Sequence, residues 1–122
     1  LVPRTRADLE NEIDDFLVMV REQTVIACGA LYPWPADSTG EIACVAVHPD
    51  YRGGIFGGLL LEQLENRATN GGLANVFVLT TSAIGWFAEH GYSRATINSL
   101  PLERRRRYNR NRNAVIMQKT LE

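Results

Sequence analysis

Between Gly40 and Gly72 an apolar strand, a glycine-rich turn and an amphipathic helix follow one another, and this order constrains the fold more than any other stretch of the chain. After its glutamate, Glu41-Ile42-Ala43-Cys44-Val45-Ala46-Val47 is apolar throughout, the pattern of a strand covered on both faces. His48-Pro49-Asp50 stops it. In Tyr51-Arg52-Gly53-Gly54-Ile55-Phe56-Gly57-Gly58 the glycines let the backbone turn tightly and bring its N–H groups against a ligand. Leu59, Leu60, Leu64 and Ala68 recur at helical spacing, Glu62, Gln63, Glu65 and Arg67 take the other side, and Asn70-Gly71-Gly72 supplies a C-cap. A helix N-terminus therefore opens on the glycine turn. Its unpaired amides and the positive end of the helix dipole favour a phosphate, and Arg52 adds a full charge beside them. Taken alone, such a turn also fits one that binds nothing. No Gly-Lys-Ser/Thr follows, which excludes a Walker loop. The run does not read Gly-x-Gly-x-x-Gly and no acidic residue closes a following strand, which disfavours a dinucleotide fingerprint.

The rest of the chain supplies a sheet around this unit. Asp8–Asp14 reads as a short acidic helix with Leu9 and Ile13 on one face. Phe16–Val20, a polar turn Arg21-Glu22-Gln23 and Thr24–Leu31 form a hairpin. Pro33-Trp34-Pro35 and Asp37–Gly40 form a loop into the central strand, so antiparallel strands precede the glycine turn. Asn75–Leu79, joined to the central strand through a helix, is expected to lie parallel to it. Thr80-Thr81-Ser82 offers an N-cap for a helix Ala83–His90 that Gly91 ends. Tyr92–Ile97 is strand-like, Pro101–Tyr108 is a basic helical connection, and Ala114–Met117 begins a last strand. The expected fold is α/β: a mixed, mostly antiparallel sheet with a central parallel pair, flanked by helices.

With 122 residues, one domain spanning 1–122 is the natural count. A formal net charge of −1 excludes wholesale polyanion binding. No apolar run approaches the roughly 20 residues that span a membrane, and nothing at the start resembles a signal peptide. A cytoplasmic protein with no membrane partner is expected, with Cys28 and Cys44 reduced and packed. His48 and His90 do not stand at metal-ligand spacing with them, so no metal is expected. The run Arg104–Arg112, with Tyr108 inside it, raises nucleic-acid binding as a second class of function. The slightly acidic whole and the single aromatic favour a solvated face or a carboxylate site instead.

Val45-Ala46-Val47-His48-Pro49-Asp50-Tyr51-Arg52, followed by Gly57 and Leu60-Leu61, resembles the acetyl-CoA loop of the GNAT superfamily of N-acetyltransferases. Arg52 and Gly57 fall on its Arg/Gln-x-x-Gly-x-Gly/Ala pattern, while Ile55 stands where its first glycine is expected. Ile42–Arg52, Phe77–Thr81, Trp86–Tyr92, Tyr108-Asn109 and Arg112 resemble more closely still the branch of the superfamily that acetylates L-glutamate. The resemblance implies a parallel pair splayed apart with acetyl-CoA in the gap. It assigns the pyrophosphate to Arg52, Gly53, Gly54, Phe56, Gly57 and Gly58, and the pantetheine arm and thioester to the backbone of Cys44, Val45 and Val47.

For catalysis the same resemblance assigns Glu41 as proton acceptor, acting through a water; the bland alternative is an exposed strand-edge carboxylate. Arg4 and Arg112 would hold the glutamate carboxylates, with Cys44, Leu79 and Thr80 in the same site. Many relatives carry a tyrosine as general acid where Trp86-Phe87 stands here, which leaves Thr80, Ser82 or Tyr92 to assist the thiolate. Cys44 as an acetyl-enzyme nucleophile lacks a partnered histidine, which favours a packed thiol. The implied product is N-acetyl-L-glutamate, at the first step of arginine biosynthesis. The superfamily's first strand and helix precede the hairpin, so the chain is expected to be the C-terminal part of a longer polypeptide, with any homo-oligomer formed through domains outside it. The alternatives are acetylation of another small amine, a non-catalytic acyl-CoA sensor, or a nucleic-acid-binding module.

Overall fold

The computed structural model describes residues 13–108 and 113–122. Most of the helix expected over Asp8–Asp14 lies outside them, and the described chain begins with a 3₁₀ turn at Ile13–Asp15. β1 (Phe16–Arg21) and β2 (Thr24–Trp34) form the expected hairpin. Its two turn residues, Glu22 and Gln23, have φ of 50° and 68°, the doubly left-handed geometry whose twist matches antiparallel strands. β2 runs past the expected end at Leu31 to Trp34. Pro33 is tolerated there because the β1 pairing reaches only to Phe16 opposite Ala30, leaving the end of β2 paired to β3 (Thr39–Val47) alone.

β4 (Asn75–Thr80) lies parallel to β3, with α1 (Phe56–Asn70) in the crossover. After α2 (Ile84–Glu89), β5 (Ser93–Ala95) and α3 (Leu102–Arg106) comes β6 (Val115–Thr120), which pairs antiparallel with both β4 and β5. The sheet order is β1-β2-β3-β4-β6-β5. Alternation along β4 feeds two cores. Val76 and Val78 join Ile42, Leu60, Leu61, Leu64 and Phe87 on the side of α1 and α2. Phe77 joins Leu100 and Ile116 on the opposite side, under Trp34, Leu79 and Tyr108. The buried stripe of α1 is Leu60, Leu61, Leu64 and Ala68, and Leu59 falls outside it and is exposed. Gly72, at φ 81°, lets Leu73 N–H donate to Ala68 O and Gly72 N–H donate to Thr69 O, both at 3.0 Å, which closes the last carbonyls of α1 in a Schellman motif. The same bond pattern ends α2 at Gly91.

Candidate active site

Pairing between β3 and β4 stops at Ile42 opposite Val78, although β3 continues to Val47. Beyond that point β3 stays with β2, where Cys28 faces Ala46 and Ala27 faces Val47. The register slips between Cys28 and Ala30, so Gly29 stands opposite both Cys44 and Val45. This is a β-bulge, and Cys44 sits in it at φ 58°. A left-handed non-glycine residue costs roughly 1–2 kcal/mol, which the surrounding pairing sustains. The bulge bends β3 away from β4. The apolar run read as covered on both faces is therefore open beyond Ile42: Ala43, Cys44, Val45 and Val47 are half-buried and Ala46 is exposed.

A cavity of about 1020 Å³ occupies the gap. Glu41–Val47 and Val78–Thr80 form its two strand walls, Thr81–Ala83, Trp86, Phe87 and His90 close one side, and Arg104, Arg107, Tyr108 and Ala114 the other. Tyr51–Gly54 and Gly57 stand at its glycine end. There Gly53 takes φ 78°, which a side chain would disfavour. None of the N–H groups of residues 53–58 donates an intramolecular backbone hydrogen bond among the described residues, as expected at the start of a helix. Arg52 Nε donates to Val47 O at 3.1 Å, which fixes its charge beside these amides. Phe56 and Gly58 lie off the lining. Phe56 packs edge-on against Tyr51 with ring centroids 5.5 Å apart. A Cβ at Gly58 would stand 3.0 Å from His90 Nε2, and one at Gly57 3.2 Å from Trp86 Cζ2, so both glycines bring α1 close against the aromatic face of α2.

At the other end Glu41 is 8% exposed. Its Oε1 accepts from Arg104 Nε at 2.9 Å and from Trp34 Nε1 at 3.4 Å. The exposed-carboxylate alternative is thus corrected: Glu41 is buried, ion-paired and on the cavity wall. Leu79 and Thr80 line the same cavity, and Thr80 Oγ1 accepts from Ala83 N–H at 3.0 Å, fixing the turn into α2. Cys28 Sγ donates to Cys44 O at 3.9 Å. Burial, and then the neighbouring Cys44, push the Cys28 thiol above its ordinary value, which keeps it from thiolate chemistry.

Tyr92 is removed from the candidates for assisting a leaving thiolate, since its hydroxyl donates to Glu65 Oε2 at 2.7 Å and it does not line the cavity. Burial and the Glu65 carboxylate raise its phenol far above the usual range. Thr80 and Ser82 remain on the wall, joined by Tyr108, whose hydroxyl donates to Ala114 O at 3.0 Å. The sequence marked Tyr108 as the aromatic of the basic run and as part of the family resemblance, but not as a hydroxyl on the cavity wall. Nor is Arg104–Arg107 one solvated face. Arg104 binds Glu41, Arg105 Nη2 donates to Asn98 O and Leu100 O at 3.2 Å each, Arg106 pairs with Glu103, and Arg107 lies 4.9 Å over the Trp34 ring. Arg4 and Arg112 lie outside the described residues. Among the described residues no cluster of His, Cys, Asp and Glu could hold a metal, and no helix is long and apolar enough to cross a membrane.

A family model described as "Acetyltransferase (GNAT) family" matches residues 2–92. An amino-acid acetyltransferase of Serratia proteamaculans is 48% identical over 117 residues, covering 96% of this chain and 26% of the relative. The chain thus spans about a quarter of the length of the curated relatives it matches. N-acetylglutamate synthase from Neisseria gonorrhoeae, solved with coenzyme A and N-acetyl-glutamate, superposes with a TM-score of 0.95 at 36% identity, over 100% of this chain and 29% of that one. Rv2747 from Mycobacterium tuberculosis, solved in complex with CoA, gives 0.84 at 25% identity over 100% and 85%.

Proposed function

The chain belongs to the GNAT family of acetyltransferases, and on that premise we propose that it transfers the acetyl group of acetyl-CoA to the α-amino group of L-glutamate, giving N-acetyl-L-glutamate. The observation that carries this reading is one cavity with a phosphate-favouring helix start at one end and a buried carboxylate–arginine pair at the other. The amides of residues 53–58, which donate no backbone hydrogen bond among the described residues, and the Arg52 charge suit the pyrophosphate of CoA. Beyond Ile42, β3 has left its parallel partner, so the edge it turns to the cavity suits the pantetheine arm, which carries amides of its own. Unbridged Cys28 and Cys44 suit the reducing cytoplasm.

Acetyl transfer then needs a neutral amine, donors for the developing oxyanion and a route for protons. Glu41 takes the proton of the incoming ammonium through a water. The amine nitrogen bonds to the thioester carbonyl carbon, backbone N–H at the Cys44 bulge faces the oxyanion, and the C–S bond breaks. The second proton leaving nitrogen goes to the CoA sulfur, and the one on Glu41 returns to solvent. Turnover of acetyl-CoA against a panel of amino acids tests the reading: L-glutamate is expected to react fastest. A neutral amine or lysine acetylated faster than glutamate would overturn the substrate, and CoA binding without turnover of any acceptor would favour an acyl-CoA sensor.

A further inference from the structure

Glu41, Arg104 and Arg107 line the large cavity and also a second hollow of about 480 Å³, whose other walls are Asp15, Tyr32, Pro33 and Trp34. The Glu41–Arg104 pair is therefore the partition between the two spaces. Its members come from β3 and α3, and their side chains are 11% and 14% exposed. A pair this enclosed holds its geometry because breaking it leaves a charge without a partner. Yet among the described residues Arg104 makes its contact with Glu41 through Nε alone. Among the described residues, its two Nη groups have no carboxylate within ion-pair distance other than Glu41. A guanidinium fork is shaped to take a carboxylate through two parallel bonds, so a bidentate ligand would displace a one-nitrogen contact. When Arg104 leaves, Trp34 Nε1 still donates to Glu41, and Arg107 stacked on the indole keeps Trp34 in place.

Resting on the reading of Glu41 as proton acceptor, we infer that Arg104 exchanges carboxylates. It covers Glu41 in the resting protein, then turns its fork to a carboxylate of the incoming amino acid, which uncovers Glu41 beside the ammonium. The device couples substrate charge to proton removal. An amine without a carboxylate leaves the pair closed and Glu41 occupied, so Arg104 selects acceptors that carry a carboxylate by releasing the base only for them.

Because Glu41 and the ligand compete for one guanidinium, weakening Glu41 must strengthen the ligand. Glutarate, which is glutamate without its amine, isolates that competition from any contact between Glu41 and an ammonium. Calorimetry of glutarate on the full chain saturated with CoA is expected to show about tenfold tighter binding for Glu41→Gln than for wild type, the scale of one charge-assisted bond. Arg104→Gln is expected to weaken glutarate at least tenfold, and adding Glu41→Gln to it to recover nothing. Arg106→Gln, on an exposed pair with Glu103, is expected to change neither. Unchanged or weaker glutarate binding in Glu41→Gln overturns the exchange, as does tightening that persists without Arg104. Should Arg104→Gln not fold, Arg104→Lys keeps the charge without the fork and must weaken glutarate about fivefold; unchanged affinity overturns the proposal. If the turnover panel prefers another amino acid, the substrate assignment fails, while the carboxylate exchange still stands or falls on the glutarate series.

Discussion

Tyr92→Phe tests the polar network on the far side of α1. Tyr92 donates to Glu65 Oε2 at 2.7 Å, while Lys119 Nζ holds Glu65 Oε1 at 3.0 Å and His90 O at 3.1 Å. These bonds tie α1 to the end of α2 and to β6. The substitution keeps the ring, and with it the edge-on contact with Phe87 at 5.3 Å, so only the hydroxyl is lost. A hydrogen bond to a charged group contributes about 1.5–3 kcal/mol, and removal of the donor is expected to cost about 2. At this chain length 1 kcal/mol moves Tm by roughly 3–6 °C, so a fall of about 6–12 °C is expected at neutral pH. The pH dependence has a definite sign. The folded-state pKa of Tyr92 is raised, so above about pH 10 the unfolded state ionises there while the folded state keeps its proton. Stability present below pH 10 is then lost as pH rises, by up to about 1.4 kcal/mol per pH unit. Tyr92→Phe lacks this loss, so its gap to wild type should narrow from pH 10 upward. Thermal melts followed by circular dichroism between pH 7 and 11 measure both quantities. A Tm change under about 2 °C, or a gap that stays flat with pH, would refute the reasoning.

Gly57→Val drives a branched side chain toward Trp86, where even Cβ stands at 3.2 Å, so CoA binding by calorimetry is expected to weaken at least tenfold while the melt stays cooperative. Glu41→Gln is expected to lower kcat by about 10²–10⁴-fold in steady-state assays with little change in KM for acetyl-CoA; wild-type kcat removes Glu41 from proton transfer. Arg112→Ala is expected to raise KM for glutamate by about 10²-fold, on roughly 2–3 kcal/mol for a charge-assisted contact, and an unchanged KM rules the contact out.

Local chemistry carried much of the fold into the sequence. Gly72 and Gly91 announced helix ends, and the glycine turn after Val47 announced a crossover between parallel strands. The features that make the site are non-local. Arg104 meets Glu41 across 63 positions, and nothing in either segment names the other. Tyr92 and Tyr108 are both plausible hydroxyl donors by residue type, and only packing sends one to Glu65 and the other to the cavity. Leu59 fits a helical repeat as well as Leu60 does, and the orientation of α1 decides which is covered. The opening of β3 was hidden for a further reason: apolar residues serve equally to pack a core and to line a groove.

The bulge at Cys44 has a consequence for the phase of the strand. Ile42 faces α1, and an unbroken alternation would send positions 44 and 46 after it. Instead Val45 and Val47 pack on that core while Ala46 faces out. The extra residue is thus a half-period shift, with the valines placed in step with the strand as it stands after the shift. Deleting Cys44 would leave Ile42, Val45 and Val47 on one face of a regular strand, with every core contact supplied and no bend to part β3 from β4. Such a variant is expected to melt as cooperatively as the parent and to show no heat of CoA binding. In this chain the ability to fold and the ability to hold a ligand are therefore expected to separate at a single codon.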